Sequence, residues 1–171
     1  MALLRRALYP LRLALLRVAA RAGPSLLVGL GLVEPRVRIT RDDLRRALEL
    51  REALRSLLLA NNGGRVDSAA LETLEHAAEA GRLTIRFAGP DDAQLVGSAP
   101  GVAGALGTLV GIVQLAIAEG TWPRLKACRR DVCHWVFYDR SRNRSGTWCH
   151  MTVCGNRTKT RAYRRRRAAR S

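Results

Sequence analysis

The sequence predicts an α+β fold that is mainly helical: a helical domain with a small β-hairpin, followed by a small four-cysteine module that ends in a basic helix. Three observations carry this expectation. Leu and Ala recur at helical spacing over long stretches between residues 44 and 120. Two short alternating runs, "LTIRF" and "AQLVG", flank the turn sequence "GPDD". All four cysteines lie between positions 128 and 154, in the most basic part of the chain.

The elements follow in order. Residues 3–20 are rich in Leu, Ala and Arg and favour helix, with Pro10 as a break and Gly23-Pro24 as a stop. Thr40 and Asp43 form a capping-box pattern with Asp in the place of Glu. Leu44, Ala47, Leu48, Leu54, Leu57 and Leu58 then repeat at helical spacing until Asn61, Asn62, Gly63 and Gly64 stop the helix. Asp67 caps a second helix, with Leu71, Leu74 and Ala78 expected inward and Gly81 as its end. In the hairpin, Leu83, Ile85 and Phe87 share one face. Residues 101–120 read as a buried, glycine-diluted helix with Leu106, Leu109, Val110, Val113 and Ile117 packed inside. Gly120, Thr121, Trp122 and Pro123 mark the boundary to the C-terminal module. The expected organisation is therefore a basic segment over 1–32, a helical domain with hairpin over 33–120 and a finger with a basic helix over 121–171.

Charge separates these regions. The chain carries +16, of which +5 falls in residues 1–33, −2 in residues 34–120 and +13 in residues 121–171. A field of that size over the last third favours polyanions, nucleic acid first and an anionic membrane surface second. The Arg-rich, acid-free start suits a transit peptide or a surface-seeking helix, and no secretory cleavage pattern stands out. No uninterrupted, strongly apolar run of about 18 residues is evident, so no transmembrane span is expected. Residues 34–120 contain no catalytic constellation: His76 reads as a helix-surface residue, Asp91 and Asp92 as turn residues, and Asp42 and Asp43 as a helix start. The chain is expected not to be an enzyme, and to act in the cytoplasm.

The cysteines are spaced C-x4-C-x15-C-x4-C: Cys128, Cys133, Cys149 and Cys154. Two matched pairs at this separation suit one tetrahedral zinc with four thiolate ligands, because zinc accepts four soft thiolates without redox chemistry. A segment this short and polar would take much of its stability from the ion. Two disulfides, an iron–sulfur cluster and free buried thiols are the other readings of the same spacing. His134 and His150 each follow a cysteine directly, and such neighbours ordinarily point away from an ion. Six of the eight aromatic residues lie beyond position 120, either as a miniature core around the metal or as stacking surfaces for single-stranded bases.

The run "CHWVFYDRSRNRSGTWCHMTVCGNRTK" resembles the CGNR zinc finger, named for Cys154, Gly155, Asn156 and Arg157. Trp135, Phe137, Asp139, Ser141, Asn143, Trp148, Cys149 and Met151 fall in place with it. Upstream, "RDDLRRALELREALRSLLLANNGG" and "EGTWPRLKAC" resemble the ABATE domain that precedes this finger in bacterial proteins described as stress-induced transcriptional regulators. The resemblance spans about residues 33–167 and implies one structural zinc ion and DNA binding. The start of the chain departs from the family pattern, which has a strand with an Arg-Phe-(x)-Asn-Thr-like stretch; Arg, Leu and Ala stand there instead, as a displaced start or frame change would produce.

A concrete interface follows from the residues. Gly155 is expected to take a positive φ at the second knuckle, and Asn156 to cap the last helix, leaving backbone N–H groups free for a phosphate. Arg157, Arg161, Arg164 and Arg165 share one helix face, with Lys159, Tyr163, Arg166 and Arg167 adjoining. Arg140, Arg142, Asn143 and Arg144 add a second basic edge. The expected protein is a zinc-dependent nucleic-acid binder, a DNA-binding regulator ahead of an RNA- or ribosome-associated protein, with a ligand-binding protein carrying a structural zinc as the remaining reading. The helical domain is expected to sense a signal or to pair two copies as a homodimer.

Overall fold

A computed structural model describes residues 33–34, 36–133 and 135–169. The basic N-terminal segment, with its expected helix and Pro10 break, lies outside the described residues, as does His134. Helix α1 spans Arg41–Ala60. Its capping box forms as the sequence implies: Asp43 donates its backbone N–H to Thr40 Oγ1 at 3.1 Å, and Thr40 N–H reaches Asp43 Oδ2 at 3.0 Å. Helix α2 spans Ser68–Ala80 and is capped by Asp67, whose Oδ1 accepts from Ala69 N–H at 3.1 Å. Strands β1 (Leu83–Gly89) and β2 (Asp92–Gly97) pair antiparallel, with Ile85 opposite Leu95 and Phe87 opposite Ala93. Helix α3 spans Gly101–Ala118.

The chain then makes a 3-10 turn at Trp122–Arg124 and a second, shorter hairpin, β3 (Leu125–Ala127) and β4 (Val136–Tyr138). It ends in a π-turn over Met151–Gly155 that runs into helix α4, Asn156–Ala168.

The core does not stop at the expected domain boundary. Leu50 and Leu54 of α1, Leu109 of α3 and Leu125 of β3 are its most buried large side chains. Ala127 and Val136 of the second hairpin belong to the same cluster, and Trp122 and Tyr138 pack against it. Burying a Leu contributes about 1.5–3 kcal/mol, so Leu125 alone ties the finger's first strand firmly to the helices.

Helix faces depend on partners, and three expectations are corrected here. Leu44, Leu71 and Ile117 are exposed rather than inward. Helix α2 buries Ala70, with Leu74 half-buried. Helix α3 turns Val102, Ala105, Leu106, Leu109, Ile112, Val113 and Ala116 to the core, which leaves Ile117 one step around the helix in solvent. In β1, Ile85 and Phe87 are also exposed, because β2 and not β1 makes most of the hairpin's contact with α3. Helix α3 is 18 residues long and apolar enough by length and composition to cross a membrane, a test that a buried core helix also passes. It lies within the core, packed against α1, α2 and both strands of the first hairpin.

The glycines of α3 permit that close packing. A Cβ on Gly104 would overlap the Ala99 carbonyl oxygen, and one on Gly107 would come within 3.0 Å of Gly81 Cα. Replacing a helical Gly by Ala ordinarily stabilises by about 1 kcal/mol. Overlap with backbone, which cannot rotate away, costs about 1–3 kcal/mol. Gly104→Ala is therefore expected to lower stability, seen as a reduced urea midpoint; a raised midpoint would show that the hairpin can withdraw from α3 at no cost.

Candidate metal centre and basic groove

The four cysteines converge from four places. Cys128 follows β3 directly, and its N–H donates to Trp135 O at 2.8 Å, which continues the hairpin to the first ligand. Cys133 closes a turn through its N–H to Arg130 O at 2.8 Å. Cys149 precedes the π-turn, and Cys154 lies inside it. All four Sγ atoms lie within 4.8 Å of one another.

Cys149 Sγ is 3.6 Å from Cys133 Sγ and 3.7 Å from Cys154 Sγ. A disulfide needs about 2.05 Å, and all four are free cysteines. With Zn–S bonds of about 2.3 Å, a tetrahedral shell puts sulfurs about 3.8 Å apart, so the cluster fits the ion as it stands.

Electrostatics point the same way. Burial pushes the Cys128 thiol up. Burial, then hydrogen bonds with the neighbouring sulfurs, push Cys149 up strongly. Burial also raises Cys154, but the Arg130 guanidinium and the other sulfurs more than offset this and hold it below the ordinary thiol range. Arg130 Nη1 lies 3.9 Å from Cys154 Sγ. Four thiols crowded together cannot all ionise unaided, and a divalent cation supplies the missing positive charge. His150 is exposed, and its Nδ1 meets Thr152 Oγ1 at 2.8 Å, so it takes no part in the cluster.

A family model for the CGNR zinc finger matches residues 124–167. A second, for the ABATE domain, described as "Putative stress-induced transcription regulator", matches residues 20–119, more than half of the chain. The chain is an ABATE-family protein with a CGNR zinc finger. Its cofactor is one structural zinc ion, which the clustered Cys128, Cys133, Cys149 and Cys154 would hold. A comparison with curated proteins finds no match.

The CGNR run behaves differently from its reading as a cap. Gly155 has φ −64°, not a positive φ. It is glycine for space: a Cβ there would run into Met151 Sδ and come 2.9 Å from Trp148 Cδ1. Asn156 is not a cap either. His150 is the extended residue before the turn, and its carbonyl accepts from Cys154 and Gly155 N–H. The Asn156 N–H bonds back to Met151 and Val153 carbonyls. The backbone donors expected to await a phosphate at Asn156 are thus already used.

The arginine face forms as expected and gains a second wall. Arg157, Arg161, Arg164, Arg165 and Arg166 of α4 line a cleft of about 800 Å³ opposite the first knuckle. That knuckle contributes Arg129, Arg130 and Val132, and Asp131 is the one acid in the lining. Arg129 and Arg130 were not among the residues singled out from sequence. Lys159, Tyr163 and Arg167 lie outside the cleft lining. Arg140, Arg142, Asn143 and Arg144 are exposed on a separate loop that does not line it.

Of the aromatic residues in this region, Trp122 and Tyr138 serve the core, while Trp135 and Tyr163 are exposed.

The finger is fastened to α1 by two amides. Asn61 Nδ2 donates to Trp122 O at 2.9 Å and Leu125 O at 3.0 Å. Asn62, buried, donates to Ala127 O at 2.7 Å and Thr147 O at 2.9 Å. From sequence this pair was only a helix stop. Asn62→Ala strands two carbonyls and is expected to cost about 1–3 kcal/mol in a denaturant titration of zinc-loaded protein.

Purified protein is expected to carry one zinc per chain by elemental analysis. Cys133→Ser should lose the ion and the dispersed NMR resonances of the finger. A metal-free wild type with those resonances intact would refute the site.

Proposed function

We propose that this ABATE-family protein is a cytoplasmic DNA-binding transcriptional regulator, not an enzyme, whose finger grips a phosphate backbone. The observation that carries the reading is the arginine-walled cleft between the first knuckle and α4. Arg offers a planar fork of donors that pairs two at a time with phosphate or guanine, and it stays charged at any physiological pH. Zinc, when bound, fixes both walls, since Cys128 and Cys133 bracket the knuckle and Cys154 leads into the helix. A shell of four thiolates leaves no open position for chemistry at the metal. The helical domain is then the sensing unit or the surface through which two copies pair.

A second reading, binding of RNA or the ribosome, is favoured by exposed Trp135 and Tyr163, which offer faces for unpaired bases. One experiment separates the two: binding to duplex DNA, single strands and structured RNA across a salt series. If about six phosphates are contacted, affinity for duplex should fall about 10³-fold between about 50 and 200 mM salt. Arg161→Ala with Arg165→Ala should flatten the log–log salt slope by about two. Equal binding to random duplex and RNA, with no preferred site, would sink the regulator reading.

A further inference from the structure

The loop that carries Arg140, Arg142, Asn143 and Arg144 is held far more tightly than a solvated basic turn requires. Asp139 is only 3% exposed and Lys126 only 4%, and their charged atoms meet at 2.8 Å. Asp139 Oδ1 accepts from Ser141 N–H at 2.9 Å and Oδ2 from Gly146 N–H at 2.8 Å. Lys126 Nζ, besides the carboxylate, donates to the carbonyls of Arg144 and Gly146. Arg124 Nη1 donates to Asp139 O at 3.0 Å and Ser141 O at 2.8 Å. Ser141 Oγ accepts from Ser145 N–H at 2.9 Å.

Every hydrogen-bonding atom of the buried pair is thus aimed at the loop backbone. Burying two charges is costly, and an apolar pair of similar size often serves stability as well or better. Gly146 has no room for a side chain, because a Cβ would stand 2.6 Å from Asp139 Oδ1. Arg144 is held at φ +52°, a conformation a side-chain-bearing residue keeps only where its surroundings impose it. By contrast, the side chains of Arg140, Arg142, Asn143 and Arg144 have no hydrogen-bond or ion-pair partner among the described residues. A fixed backbone that presents unpaired cationic donors is preorganised for an anion, since little ordering is left to do on binding.

We propose that this loop is a second phosphate-gripping surface, separate from the α4 cleft, and that Lys126, Asp139 and Arg124 are its positioning residues. The inference rests on the nucleic-acid reading above, and its test separates the two. Salt slopes for duplex DNA are measured on full-length, zinc-loaded variants. Arg142→Ala with Arg144→Ala should lower the slope by about two, at about 0.9 per phosphate. Lys126→Met with Asp139→Leu should lower it by a similar amount while one zinc per chain is retained. All four substitutions together should lower it no further, because both pairs act through the same phosphate contacts. Should the core double variant fail to fold, Ser141→Ala, which removes the hydroxyl that holds Ser145 N–H and touches the Asp139 carboxylate but leaves the buried pair in place, is expected to weaken binding in the same direction.

Wild-type slope and affinity in the Arg142/Arg144 variant, with loss in the Arg161/Arg165 variant, would overturn the loop and leave the cleft standing. Full additivity of the four substitutions would overturn the positioning role. Absence of salt-dependent binding in the wild type would remove the nucleic-acid reading itself.

Discussion

Four sulfur atoms at one point set the shape of the last third of the molecule. Among the described residues between Cys128 and Cys154, regular structure is limited to a three-residue strand, β4, and a five-residue π-turn. Such a segment has little apolar surface to offset its chain entropy. Closing two loops on one zinc removes most of that freedom at once, and it does so at the bases of both walls of the arginine cleft. The wall on the knuckle side begins at Arg129, the residue after Cys128, and the wall on the helix side begins at Asn156, two residues after Cys154. An ion bound there would tie the two walls to one point.

A second level of constraint joins this centre to the helices. Leu125, Ala127 and Val136 fill the same core as Leu50, Leu54 and Leu109, while Asn61 and Asn62 satisfy four carbonyls along the seam. The buried Lys126–Asp139 pair lies on the same short hairpin. Burial raises the Asp139 carboxyl, but the Lys126 ammonium, the Ser141 hydroxyl and the Ser141 and Gly146 N–H groups outweigh it and hold the group well below the carboxylate range. Its contribution is complete well above the unfolded value of about 3.9 and is lost as pH falls below it.

How much of this was legible in the sequence depends on the range of each interaction. The ligand set was readable because a tetrahedral shell demands little more than residue type and separation. The capping box at Thr40 and Asp43 was readable because its partners are three residues apart. The Asn62–Thr147 and Lys126–Asp139 contacts were not, since they join residues 85 and 13 apart with no local pattern to announce them. Leu71 and Ile117 were misplaced because an apolar residue on a helix goes inward only where a partner lies against it. Asn156 was misread as a cap because the turn that carries Cys154 pulls the start of the helical path back to His150. The family resemblance supplied zinc where spacing alone left disulfides and clusters open.

The asparagine seam has one more consequence. A finger joined by a slack tether would sample many orientations, and two such fingers could adapt to targets at variable distances. Here the amides of Asn61 and Asn62 and the shared leucine core make the finger and helices one body. Wherever the helices are held, the cleft is held with them, and the direction it faces is a property of the fold and not of a linker.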